Sequence, residues 1–141
     1  MKFKYTLILS GRNFDPDLLL THITESFLIA SLFHQGDLMR NGVRRYDSGI
    51  LSIWAPNKFS MEETLDKYEN WYVDFIERNF SFFNDANVED ISLFIEVYRI
   101  KDEQCNFEIF SKTKLMRLSQ YSISIPVSIY DLSEDKMNQL T

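Results

Sequence analysis

The chain has 141 residues, a formal net charge of −6, and 45% hydrophobic and 15% aromatic residues. That is the length of one domain, enough to bury a core without disulfides and too apolar for intrinsic disorder. A single cysteine, Cys105, and two histidines exclude an intrachain disulfide and leave too few ligands for a Cys/His zinc cluster.

Lys2 to Ser10 alternates with period two, placing Phe3, Tyr5, Leu7 and Leu9 on one face of a first strand. The run is broken by Thr6 and is too short for a signal sequence. No stretch approaches the roughly 20 apolar residues of a membrane helix. The expectation is therefore a cytoplasmic protein. After a turn at Gly11 to Phe14, Asp15-Pro16-Asp17 opens a helix. Asp15 can cap free amides, Pro16 suits the first position, and Asp17 favours the positive dipole end. Leu18, Leu19, His22 and Ile23 line one face, with His22 in a packing role. Phe27 to Phe33 reads as a strand before the turn at Gly36-Asp37. Asn41-Gly42 marks a second turn. Val43 to Asp47 and Ile50 to Ala55 read as two more strands, ended by Pro56 and Asn57.

Ser60 followed by Glu63 has the form of a capping box, so a helix is predicted from there to about Asn79. Met61, Leu65, Tyr68, Tyr72, Phe75 and Ile76 form its buried stripe at spacings of three and four. Asn84 to Asp90 is a polar joint. Ile91, Leu93, Ile95 and Val97 alternate as a strand, Lys101 to Gln104 turns, and Phe107 and Ile109 continue as its partner. A short helix from about Ser111 to Gln120 is predicted to bury Leu115, Met116 and Leu118. Ile123, Ile125, Val127 and Ile129 form the last strand. Pro126 marks it as an edge, because proline cannot donate to a ladder, and an edge so marked discourages edge-to-edge dimerisation. The order predicts one α+β domain over residues 1–141, a single mostly antiparallel sheet with helices packed on one face.

Several short motifs carry a family resemblance. They are Gly11-x-x-Phe14-Asp15-Pro16-Asp17, then Gly36-Asp37, then Arg45-Tyr46-x-x-Gly49 leading into a strand that ends at Trp54, and finally Ile129-Tyr130-Asp131-Leu132. On these the chain resembles the bacterial domain-of-unknown-function 4279 family across most of residues 3–132, with Met61 to Asn87 uncovered. The resemblance implies an α+β fold and a bacterial source. It brings no catalytic residues.

Chemistry-bearing patterns are sparse. Four isolated glycines cannot build a phosphate loop or a dinucleotide fingerprint, and no G-x-S-x-G occurs. Asp85 to Asp90 lacks the glycine turn and distal glutamate of a calcium loop, so no metal or other cofactor is expected. Bases are interspersed with acids, which argues against nucleic-acid binding. Asp102, Glu103 and Glu108 give Cys105 the wrong setting for a reactive thiol. His34, Asp37, Arg44, Arg45 and Asp47 lie close in sequence. They fit either an ion-paired hairpin or a site that binds an anion or moves protons.

Charge is uneven. Residues 60–90 hold nine acids and two bases, a net −7, while the rest of the chain nets +1. Glu62, Asp66 and Glu77 fall on the helix flank opposite the buried stripe, and Glu69, Asp74, Asp85, Glu89 and Asp90 extend the acidic stretch. Such a stretch serves solubility or docks a basic partner by complementary charge. The sequence thus supports two functional readings. The first is a non-catalytic acidic binding protein, in its sharpest form a bacterial immunity protein that neutralises a cognate toxin domain, with a nuclease favoured by the acidity. The second is a small-ligand binder or enzyme using the His34/Asp37/Arg44/Arg45 region.

Overall fold

The computed structural model describes residues 1–141. Its centre is β1 (Lys2–Gly11), an alternating strand whose odd residues Phe3, Tyr5, Leu7 and Leu9 are fully buried. β1 pairs antiparallel with β5 (Asp90–Ile100) along nine residues, from Lys2↔Tyr98 to Ser10↔Asp90. On its other side β1 meets two strands in succession. β3 (Gly49–Trp54) pairs from Leu7 to Gly11, and the two-residue β4 (Ser60–Met61) pairs at Lys2 and Phe3. β2 (Leu28–Phe33) adds outside β3, and β6 (Ile123–Ser124) and β7 (Val127–Leu132) add outside β5.

The result is one seven-stranded α+β sheet, antiparallel except where β6 and β7 run parallel to β5. A return in the parallel sense needs a crossover, and α3 (Lys112–Leu118) lies within it. β6 and β7 hold one register against β5, interrupted at Pro126. The last strand is therefore an edge, as its proline predicts.

Three helices pack on the face carrying the odd residues of β1. α1 (Pro16–His22) starts as its sequence dictates, with the Asp15 carboxylate accepting from the amides of Asp17 and Leu18. It buries Leu19, while His22 stacks on Phe82 at 5.0 Å. Between β1 and α1, Phe14 and its neighbours press on Gly49, where an added Cβ would sit 2.2 Å from the Phe14 carbonyl oxygen. α2 (Leu65–Asp85) spans the sheet with Leu65, Tyr68, Tyr72, Phe75 and Ile76 inward. Leu19, Tyr72 and Leu118 of the three helices join Phe3, Leu51 and Ile95 of the sheet in one core. The fourth helix, α4 (Glu134–Gln139), closes one end of the sheet, where the Lys2 ammonium donates to the Leu140 carbonyl at 2.6 Å.

The structure corrects several local expectations. The capping box does not form. Ser60 is consumed by β4, its hydroxyl donating to the Met61 carbonyl and lying 2.9 Å from that of Thr64, and a 3₁₀ turn (Glu62–Thr64) precedes α2. Met61 is consequently exposed. α2 also runs past Asn79 to Asp85, and Asn87 follows it in the left-handed region at φ 65°. Val43 to Asp47 forms no strand. It folds back as a tight hairpin with a single bridge, Leu38↔Arg45, because its turns use up the chain length. Phe107 and Ile109 form no strand, Ile109 lying in a bend, and Phe107 packs edge-on against Phe3 instead. In α3 the inward residues are Lys114 and Leu118, whereas Leu115 and Met116 face outward.

Between β3 and β4 the ladder has a gap, and the backbone of Tyr5 faces it without a strand partner. Two helix side chains fill it. The Tyr68 hydroxyl accepts from the Tyr5 amide at 3.0 Å and donates to the Lys58 carbonyl, while the Tyr72 hydroxyl donates to the Tyr5 carbonyl at 2.6 Å and accepts from the Ala55 amide. Burial raises the phenol pKa of both tyrosines, Tyr72 strongly, so they stay protonated as donors. Tyr72→Phe leaves the Tyr5 carbonyl and Ala55 amide buried and unpaired, and is expected to cost about 1–3 kcal/mol in urea unfolding. A loss within error would show that the gap closes by other means.

Candidate functional site

The acidic segment does not form one surface. Glu69 is 3% exposed and lies inside the protein. Its Oε1 accepts from the Tyr5 hydroxyl at 2.8 Å and the Phe110 amide at 2.9 Å, and its Oε2 accepts from the Lys114 ammonium at 2.9 Å. Lys114 also reaches the Asp66 carboxylate at 2.6 Å. Burial lowers the Lys114 pKa, but the hydrogen bonds to Asp66 and Glu69 outweigh it and the net shift is upward. One turn further along α3, Arg117 bridges Asp74 at 2.7 Å and Glu77 at 2.6 Å. The Arg117 hydrogen bond holds the Glu77 carboxyl below its ordinary range.

α3 thus lays two cations on the middle of α2, where they pair with four of the segment's nine acids and offset about half of their charge. Glu62 remains free at the start of the segment. Asp85, Glu89 and Asp90 lie at the far end of α2, which at 21 residues is about 30 Å long. There Glu89 accepts from the Arg12 amide. Glu69 is therefore withdrawn as a docking residue: a carboxylate satisfied by three internal donors has nothing left to offer a partner. The signal missed in the sequence was Lys114 itself, a cation at an inward helix position.

The second cluster is also occupied. His34 Nε2 lies 2.6 Å from the Asp17 carboxylate of α1, and its Nδ1 lies 3.3 Å from that of Asp37. Asp37 also accepts from the His34 amide at 2.7 Å. The Asp17 hydrogen bond is the main cause of a raised imidazole pKa, with desolvation opposing it and the charge of Asp17 and then Asp37 adding to it. Arg45 donates to the Gly36 carbonyl, Asp47 accepts from the Ser48 hydroxyl, and Arg44 is exposed. The cluster ties the 34–47 hairpin to α1, and no concavity lies at it. The concavities lie elsewhere. One of about 260 Å³ is walled by Pro56, Phe59, Tyr68 and Trp71, and a shallow one of about 590 Å³ is bordered by Ile109, Phe110, Leu115 and Met116.

The other face of the sheet carries none of α1, α2 and α3 and is half-buried, with Thr6 and Ser52 on it buried. Register puts Ile8 beside Ser52, Phe33 beside Ile50, Thr6 beside Phe94 and Tyr98 beside Tyr130 on it. The rings are fixed in place. The Trp54 indole donates to the Thr6 hydroxyl at 2.9 Å and carries the Lys58 ammonium 4.3 Å from its ring centroid. Tyr98 stacks on Tyr130 at 5.2 Å, and Phe33 stacks on Tyr46 at 4.3 Å. Between them Lys4 and Glu96 pair at 2.6 Å.

No protein-family model, no curated protein and no solved structure matches the chain. No helix is long and apolar enough to cross a membrane.

Two outcomes test these sites. Glu69→Ala strands the Lys114 ammonium and the Phe110 amide, and is expected to destabilise the fold by about 3–5 kcal/mol. Replacing Glu69 and Lys114 together by Leu and Met should cost less than the sum of the two single changes, and strict additivity would show that they are not coupled. For His34 the folded pKa is raised, so its contribution to stability is complete below the ordinary histidine range and disappears as pH rises through the folded value. Asp17→Asn should lower the His34 midpoint in an NMR titration. An unmoved midpoint would remove the clamp.

Proposed function

We propose that the protein is a non-catalytic binding protein that receives a partner protein on the open face of its sheet. The observation that carries the reading is a row of rings on the helix-free face, half-buried at Phe33, Trp54, Phe94 and Tyr98 and exposed at Tyr130. Apolar sheet faces bury themselves against a second layer, and here no helix supplies one; Tyr46, Lys58 and Phe59 cover the face only in part, over Phe33, Trp54 and Tyr98. Aromatic side chains with few rotatable bonds are the groups that dominate protein interfaces, and ordered rings lose little entropy on binding. Lys58 at the margin of the row supplies a polar contact that fixes orientation.

In its sharpest form the reading is a bacterial immunity protein acting in the cytoplasm, neutralising a cognate toxin by direct contact. The net charge of −6 favours a basic toxin domain, such as a nuclease, through long-range steering rather than through a carboxylate row that mimics phosphates. The Lys114 and Arg117 ion pairs weaken the electrostatic support for such mimicry along α2.

The test is co-expression with any toxin domain found encoded beside its gene, read by growth and by co-elution of the two chains. The wild-type chain is expected to rescue growth. Tyr130→Ala and Lys58→Glu, both with native circular dichroism, are expected to weaken the complex about tenfold or more. Growth arrest without a complex overturns the immunity reading. Rescue untouched by either variant moves the interface away from the open face.

A further inference from the structure

β7 forms the outer edge of the sheet, and its backbone orientation can be read from two bonds. The Ile95 amide donates to the Pro126 carbonyl, and the Lys101 amide donates to that of Leu132. Even-numbered residues therefore turn their backbone groups toward β5. Val127, Ile129 and Asp131 turn theirs outward, where no strand pairs with them. Pro126 faces inward, so its missing N–H is absent from the β5 ladder and not from the free edge. The proline that marks the strand as an edge therefore does not block it.

Edges are normally blunted by a bulge, a lysine or an outward proline. The opposite edge, β2, has its bulge between Ile29 and Ser31. β7 has none of these from Val127 to Leu132, and its Val127 and Ile129 side chains are 47% and 54% exposed. The charges beside it are already matched, Arg99 with Asp131 and Lys4 with Glu96.

The geometry points to a second copy of this chain as the occupant: β7 pairs antiparallel with β7 of that copy about a two-fold axis through Ser128. Val127 then stands opposite Ile129 of the second copy, the two exchanging both backbone bonds, and the relation repeats by symmetry. The exposed apolar side chains cover one another on the helix side. Tyr130 meets the Pro126 ring of the second copy on the open side. A slip of two residues would set Val127 against a carboxylate, Asp131, which selects this register.

Light scattering behind size exclusion on the whole chain is expected to give twice the 16.8 kDa chain mass at high micromolar concentration. Ile129→Lys, with native circular dichroism, is expected to return it to one chain mass. In a Cys105→Ser background, Ser128→Cys is expected to oxidise to a linked dimer, because directly opposed residues of this pair type lie about 4.5 Å apart, within disulfide reach. A single chain mass at every concentration overturns the proposal, even if a strand of some other protein is later found on this edge. So does a dimer that survives Ile129→Lys and fails to cross-link through Ser128→Cys. If Ile129→Lys does not fold, the cross-link alone decides.

Discussion

The peptide at Tyr5 sits in the middle of the central strand with no strand beside it on one side. β3 has already left the sheet after Trp54, and β4 joins only at Phe3. A buried amide and carbonyl left open there would cost about 1–3 kcal/mol each. The Tyr68 and Tyr72 hydroxyls, one helical turn apart on α2, close the gap, and the Tyr5 side chain returns the contact through Glu69. α2 is thus held by hydrogen bonds that fix its height and rotation over the sheet, in addition to apolar contact. α3 depends on it in turn, through Lys114, and so does the loop before α3, through the Phe110 amide.

That chain of dependence changes the meaning of the acidic segment. Along the sequence, residues 60–90 look like a block of uncompensated charge. In space, α3 supplies Lys114 and Arg117 from some 40 residues away, and the middle of the block becomes ion pairs. Net charge is a property of the whole molecule that survives folding, whereas a local charge run need not. The open sheet face is the converse case. Its residues come from five separated stretches, none of which is unusual by itself.

Legibility in the sequence followed the range of the interactions. β1 and β5 were plain because alternation is local, and α1 because Asp15, Pro16 and Asp17 act within one turn. The stripe from Leu65 to Ile76 was read from helical spacing and is buried as expected. Ser60-x-x-Glu63 failed because β1 competes for Ser60 and wins a pair of strand contacts. Leu115 and Met116 were expected inside because they are apolar, but the buried carboxylate of Glu69 rotates α3 to bring Lys114 inward. The parallel sense of β6 and β7 was hidden because strand direction depends on the crossover through α3, which no local pattern encodes. The aromatic face was unreadable for the same reason: register decides which rings become neighbours.

The nine-residue pairing of β1 with β5 joins residues 2–10 to residues 90–98. The strongest contact of the sheet is thus also among the longest in sequence. Closing so large a loop has to precede the reward of zipping the two strands, which raises contact order and slows folding. During synthesis β1 is made long before β5, its central neighbour. Until then its row of Phe3, Tyr5, Leu7 and Leu9 has no permanent cover. β1 is thus the strand of this sheet that needs shielding for longest during synthesis.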